Sequence, residues 1–215
     1  MQQLLLDIQP PALPSFDNFV VGQNGEALNS LHSAILEPNA PHFIYLWGSA
    51  GSGKSHALQA CKIIAESLPS LELICVDNVH TLDDGAQIAL FNTYNRLREV
   101  NSLQTEQYAS LIVAGNAAPT QMQLRDDLAT RLAWGLTYQL KPLTDEEKAL
   151  ALLKHADSRG MQLPTDVIDY CLRYLRRDLP TLIATINALD AWSLTTKKPM
   201  TVTMLRQLLQ LPLPV

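Results

Sequence analysis

Basic charge is in the minority in this chain: Lys+Arg 16 against Asp+Glu 21 leave a formal charge of −5. Proteins dedicated to coating nucleic acid neutralise phosphates with an evident basic surface, so that class is disfavoured, although a local basic groove stays compatible. Cysteine is scarce too. Cys61, Cys75 and Cys171 are odd in number and far apart, and none forms a C-x-x-C pair. Neither a disulfide framework nor a zinc ribbon is supported. Reduced structural thiols in a cytosolic protein are the simplest reading. Long apolar runs are missing. Stretches such as Phe43–Trp47, Leu73–Val76 and Leu111–Ala114 fall far below the ~20 residues that cross a bilayer. Near the N-terminus, Leu4–Leu6 lacks a basic flank and a small-residue cleavage site, and Asp7 and Pro10 interrupt it at once. A secretory signal is therefore not expected, and a cytoplasmic location is.

What is present is a chain of 215 residues, 47% apolar and 6% aromatic, enough for a real core and for one domain or one plus a small appendage. Residues 1–15 read as an extended tail, because Pro10, Pro11 and Pro14 forbid a helix there. Apolar spacing predicts a helix over Gln23–Leu36, carried by Ala27, Leu28, Leu31, Ala34 and Ile35. Phe43–Trp47, between Pro41 and Gly48, reads as a buried strand of a parallel sheet. A helix over about Gly53–Glu66, a strand at Leu71–Val76, a helix at Ala86–Val100 and strands at Ala109–Ala114 and Leu136–Leu140 follow. This alternation implies right-handed parallel βαβ units. From Thr144 the character changes. Thr144-Asp145-Glu146-Glu147 is a capping box opening a helix to about Ser158. Helices over Asp166–Leu175, Pro180–Leu194 and Val202–Gln210 complete a small helical bundle. The expected organisation is a tail (1–15), an α/β domain (16–142) and a helical lid (143–215).

The strongest chemical signal is Gly48-Ser49-Ala50-Gly51-Ser52-Gly53-Lys54-Ser55, which fits G-x-x-x-x-G-K-[ST] and lies between a strand and a helix, as this phosphate-binding motif requires. Glycines let consecutive N–H groups converge on phosphate oxygens, and the following helix adds the positive end of its dipole. Lys54 would reach the β- and γ-phosphates, and Ser55 would ligate Mg²⁺. A glycine-rich turn without ligand is the bland alternative. The partner carboxylate is expected at a strand end, and Leu73-Ile74-Cys75-Val76-Asp77 supplies it. Asp77 would complete the Mg²⁺ shell, against the plain reading of a strand-end turn residue. Asn78 follows, an amide that cannot act as a general base. Nucleotide binding is thus better supported than fast hydrolysis. Asn116, at the tip of the third strand, would lie beside the γ-phosphate, although alone it reads as a turn residue. Lys54 and Asp77 stand 77 − 54 = 23 residues apart, which leaves no room for an extra strand–helix excursion. A short sheet of about four parallel strands is expected.

With the loop, Asp77, Asn116 and a helical lid in this order, the chain resembles an AAA+ ATPase module. Ser15-Phe16-Asp17-Asn18-Phe19-Val20, Gln87–Arg96 and Asp127–Leu132 are similar to segments of the DnaA-related family. The sequence stops after the lid, where DnaA continues into a DNA-reading domain, so it looks most like the regulatory inactivators of DnaA. That resemblance implies a set of roles. Phe19 and Val20 would frame the adenine of ADP or ATP. Arg131 would be an arginine finger acting in trans on DnaA-bound ATP, against the alternative of a helix-surface arginine paired with Asp126 or Asp127. Gln3, Leu4, Leu6 and Ile8 would form a motif binding the DNA polymerase III sliding clamp (its beta subunit), against the alternative of leucines packing on the body. DnaA and the clamp are the implied partners, with homo-oligomerisation open and no sequence-specific DNA contact. Pro180 stands where the family carries a second phosphate-sensing arginine and suits a helix's first turn; Arg176 or Arg177 could stand in for it. The rivals are an autonomous AAA+ ATPase, such as a clamp-loader or helicase-loader subunit, and a nucleotide-independent clamp adaptor.

Overall fold

A computed structural model describes residues 13–103, 106–176 and 178–209 of the chain. They divide into two compact units, Leu13–Pro142 and residues from 143 on. The first is built on strands β1 (Phe43–Trp47), β2 (Leu71–Val76), β3 (Tyr108–Gly115) and β4 (Leu136–Gln139). They form one parallel four-stranded sheet in the order β2-β3-β1-β4. The short sheet expected from the 23-residue spacing is what forms. Helix α2 (Lys54–Ala65) carries the chain from β1 to β2, and β3 then inserts between those two strands.

Strand pleating sends alternate side chains to opposite faces. Ile44, Leu46, Ile112 and Ala114 pack with α1 (Gly25–Leu36) and α2. Tyr45, Leu111 and Val113 pack with α3 (Asp84–Ser102) and α4 (Asp126–Trp134). All eight β3 residues are buried, as expected for a strand covered on both faces. Burying each of the large aliphatic side chains contributes about 1.5–3 kcal/mol before entropy is counted. The Tyr108 hydroxyl also donates to the Ile35 carbonyl at 2.5 Å and ties β3 to α1.

Helix α3 starts two residues before the expected Ala86, because the Asp83 carboxylate accepts from the Ala86 N–H at 2.7 Å and caps it. Helix α4 is an element that the strand-and-helix pattern passes over. It is short, and the apolar residues that it buries are Leu128 and Leu132.

The second unit holds α5 (Asp145–Ser158), α6 (Thr165–Tyr174), α7 (Leu179–Thr196) and α8 (Val202–Leu208) around a core that includes Leu152, Val167, Cys171, Leu182, Ile186 and Leu205. The capping box at Thr144 and Glu147 forms in both directions. Pro180 sits in the first turn of α7, and Asp178 caps that helix. All three cysteines are free thiols. Burial pushes the Cys75 thiol up to about 12 and the Cys171 thiol up to about 11, so both are protonated and inert at neutral pH.

Candidate nucleotide site

The carboxyl ends of parallel strands are where α/β sheets bind ligands. Here they bring together the loop after β1, Asp77 after β2 and Asn116 after β3. Register places Trp47 level with Gly115 and Gln139, so the loop leaves the sheet between two strand ends. Gly48, Gly51 and Gly53 all take positive φ, at 155°, 78° and 96°, and Gly53 is the residue before the first turn of α2. The motif therefore folds as a loop whose chain turns at its glycines and ends on a helix N-terminus.

Lys54 curls back over this loop. Its ammonium donates to the carbonyls of Gly48 at 2.8 Å and Ser49 at 2.9 Å. Burial holds its pKa below the usual lysine range, and the Asp77 carboxylate partly offsets that. The Ser55 hydroxyl donates to Asp77 Oδ2 at 2.5 Å, which joins the N-terminus of α2 to the end of β2 across the intervening strand. The other carboxylate oxygen, Oδ1, accepts from the Asn78 N–H at 2.8 Å. Asn78 itself is exposed and in the left-handed region (φ 51°), opening the 3₁₀ turn Val79–Thr81. Asn116 lies exposed in the bend just beyond β3. That strand tip is fixed from below, since the Tyr45 hydroxyl donates to the Ala117 carbonyl at 2.8 Å.

The residues present fit a magnesium nucleotide. A hydroxyl and a carboxylate already 2.5 Å apart are the hard oxygen pair that Mg²⁺ takes from a protein while phosphates and water complete its octahedron. No cluster of three or more His, Cys, Asp or Glu able to hold a metal alone occurs among the described residues.

The segment Ser15–Val20 is anchored beside the loop. Ser15 and Asn18 exchange two hydrogen bonds, at 2.9 and 3.2 Å. His56, the residue after Ser55, has Nε2 at 3.0 Å from the Ser15 carbonyl, and its ring stands edge-on to Phe19 with 5.2 Å between centroids. Phe19 lies against Gly53, where an added Cβ would come within 2.7 Å of the ring. No sequence pattern singles out His56, because its partner Ser15 lies 41 residues earlier in the chain. Gly53→Ala therefore combines a positive φ with a clash and is expected to cost about 1–3 kcal/mol. Thermal unfolding should show a loss of several degrees, of which Phe19→Ala in the same chain recovers the clash component.

Arg131 is placed differently from its bland alternative. Asp127 is occupied by the Leu128 N–H at 2.7 Å and by Arg125 at 3.4 Å, and Arg125 also reaches Asp84 at 2.9 Å. The Arg131 guanidinium turns instead to aromatic rings: Trp134 at 4.4 Å from the centroid, Phe91 at 5.8 Å and Tyr94 at 5.9 Å. Gln3, Leu4, Leu6 and Ile8 lie outside the described residues, as does Arg177. No helix among the described residues is long and apolar enough to cross a membrane.

Comparison with known proteins bears on this arrangement. Residues 145–209 match the family model of the Hda lid domain. Domain III of the replication initiation protein DnaA from Thermotoga maritima superposes with a TM-score of 0.72 at 21% identity, covering 94% of this chain and 98% of that one. The chain is thus similar to DnaA in fold and to Hda in its helical C-terminal unit. AMPPCP-bound DnaA from Aquifex aeolicus gives 0.68 at 20% identity, over 86% of this chain and 68% of that one. The Holliday junction branch migration motor RuvB of Thermotoga maritima gives 0.64 at 15%, over 94% and 72%. At such identities the structures establish the fold alone, one shared with DnaA and RuvB and built here on a four-stranded sheet.

Proposed function

We propose that this protein is a DnaA-related AAA+ regulatory inactivator. It would hold an adenine nucleotide, ADP or ATP, with Mg²⁺, and with the DNA-loaded sliding clamp it would promote hydrolysis of ATP bound to DnaA. Residues 1–15 would be the clamp tether, 16–142 the nucleotide-binding domain and 143–215 the lid. The loop N–H groups and Lys54 would bind phosphates, Ser55 and Asp77 would hold the metal, Asn116 would face the γ-phosphate, and Phe19 and Val20 would border the base. When bound, a magnesium nucleotide would supply the charge around which the N–H groups of Gly48–Ser55 and Lys54 would be organised. An AMPPCP complex of a DnaA with this fold supports a nucleotide here.

The observation that carries the regulatory reading is Arg131. It is half-buried on α4 and has no ion pair to a carboxylate among the described residues. An arginine left unneutralised is suited to meet charge brought by a partner. The chain's own site would be poorly equipped for turnover, because Asn78 supplies no base. Purified protein is therefore expected to hydrolyse ATP far below one per second. Several turnovers per second, the range of ordinary enzymes, would replace this reading with that of an autonomous clamp-loader-like or helicase-loader-like ATPase.

The tether is tested separately. An extended peptide binds through a few apolar anchors in surface pockets. The double substitution Leu4→Ala, Leu6→Ala should remove co-elution with the clamp and leave nucleotide affinity and thermal stability unchanged. Continued co-elution would take the tether away from this segment.

A further inference from the structure

Arg131 and Trp134 are three residues apart on one helix, the spacing that puts side chains on a shared face. Trp134 is the last residue of α4 and is 61% exposed. It does not belong to the core that Leu128 and Leu132 enter. Just after it, the chain passes so close to β1 that a Cβ on Gly135 would lie 2.3 Å from the Phe43 carbonyl. The helix end and its tryptophan are thereby pinned against a central strand. A large aromatic side chain left in water costs exposed apolar area, and its one close partner of opposite character is the guanidinium, 4.4 Å from the ring centroid. Phe91 and Tyr94 of α3 stand at 5.8 and 5.9 Å. Two acidic groups of this region, Asp84 and Asp127, are both paired with Arg125.

We infer that Trp134 is a positioning residue for Arg131, holding the guanidinium through its π face so that the N–H donors stay available to an anion brought by a partner protein. This rests on the reading of Arg131 as the residue that acts in trans. A carboxylate in Trp134's place would also fix the side chain, but it would spend the donors and cancel the charge. A ring face takes neither, because the attraction is between the cation and the ring quadrupole. Docking of a partner would remove water from the exposed indole and strengthen both contacts together.

Two measurements on the full chain test this. In NMR spectra of the protein alone, the Arg131 side-chain protons should carry an upfield ring-current shift that Trp134→Ala abolishes and Trp134→Phe partly keeps. In single-turnover hydrolysis of DnaA-bound ATP with DNA-loaded clamp, Trp134→Ala should lower the maximal rate roughly three- to tenfold. The half-saturating concentration should stay within about twofold, and Trp134→Phe should restore most of the rate. Thermal unfolding checks that both variants fold. A wild-type maximal rate in the alanine variant overturns the inference. So does a change confined to half-saturation, which would make Trp134 a docking contact. If wild-type protein leaves DnaA-bound ATP intact, the trans reading of Arg131 fails, and the ring-current result alone decides whether Trp134 holds the guanidinium.

Discussion

Lys54→Ala is expected to weaken binding of ADP and ATP at least tenfold, about 1.4 kcal/mol, with the fold retained. The ammonium is the one lysine or arginine charge in the loop sequence, and its contacts are with the Gly48 and Ser49 carbonyls. The Ser49 carbonyl is exposed and can turn to water, whereas the Gly48 carbonyl is part-buried, so losing the lysine should cost about 1 kcal/mol of stability. Phosphate oxygens have no comparable substitute, since the remaining donors are neutral N–H groups, and charge-assisted bonds are roughly twice as strong. Partial burial sharpens the effect by keeping water from screening the ammonium. Lys54→Arg should rescue poorly, because a planar fork replaces a compact point charge. Titration calorimetry on nucleotide-free protein measures this directly. Equal heats from wild type and Lys54→Ala would mean that the loop does not hold phosphate.

The loop, Asp77 and the parallel strands were legible because each is set by local chemistry. Gly48–Ser55 dictates a turn at the end of a strand, and Leu73–Val76 followed by Asp77 dictates a buried strand with an acid at its tip. The start of α5 was legible from Thr144 and Glu147, whose capping box needs only residues near in sequence. What stayed hidden depends on tertiary contact. Nothing local announces that His56 meets the Ser15 carbonyl 41 residues earlier, or that Arg125 reaches Asp84. The pairing of Arg131 with Asp127, attractive at a spacing of four on a helix, fails because Arg125 takes that carboxylate first. The i, i+3 relation to Trp134 was visible in the sequence but had no reason to win until the acids were accounted for.

Arg131→Ala is expected to bind nucleotide and clamp as wild type does and to lose stimulation of DnaA-bound ATP hydrolysis by about 10³-fold. A guanidinium supplied across an interface contributes chiefly when charge develops on the transferred phosphoryl group, so its loss falls on rate. The side chain's own stabilisation comes from the Trp134 contact, and at a largely exposed ring that is about 0.5–1 kcal/mol. Arg131→Lys should fail nearly as badly, because an ammonium lacks the fork that grips phosphate and is more strongly hydrated.

The measurement that bears most directly on the central claim is the fate of labelled ATP preloaded on DnaA, followed in a single turnover with and without this protein and DNA-loaded clamp. Conversion to ADP that requires the clamp, rises with the protein and vanishes with Arg131→Ala is the predicted result. Label that persists as ATP at saturating wild-type protein and clamp would contradict the account.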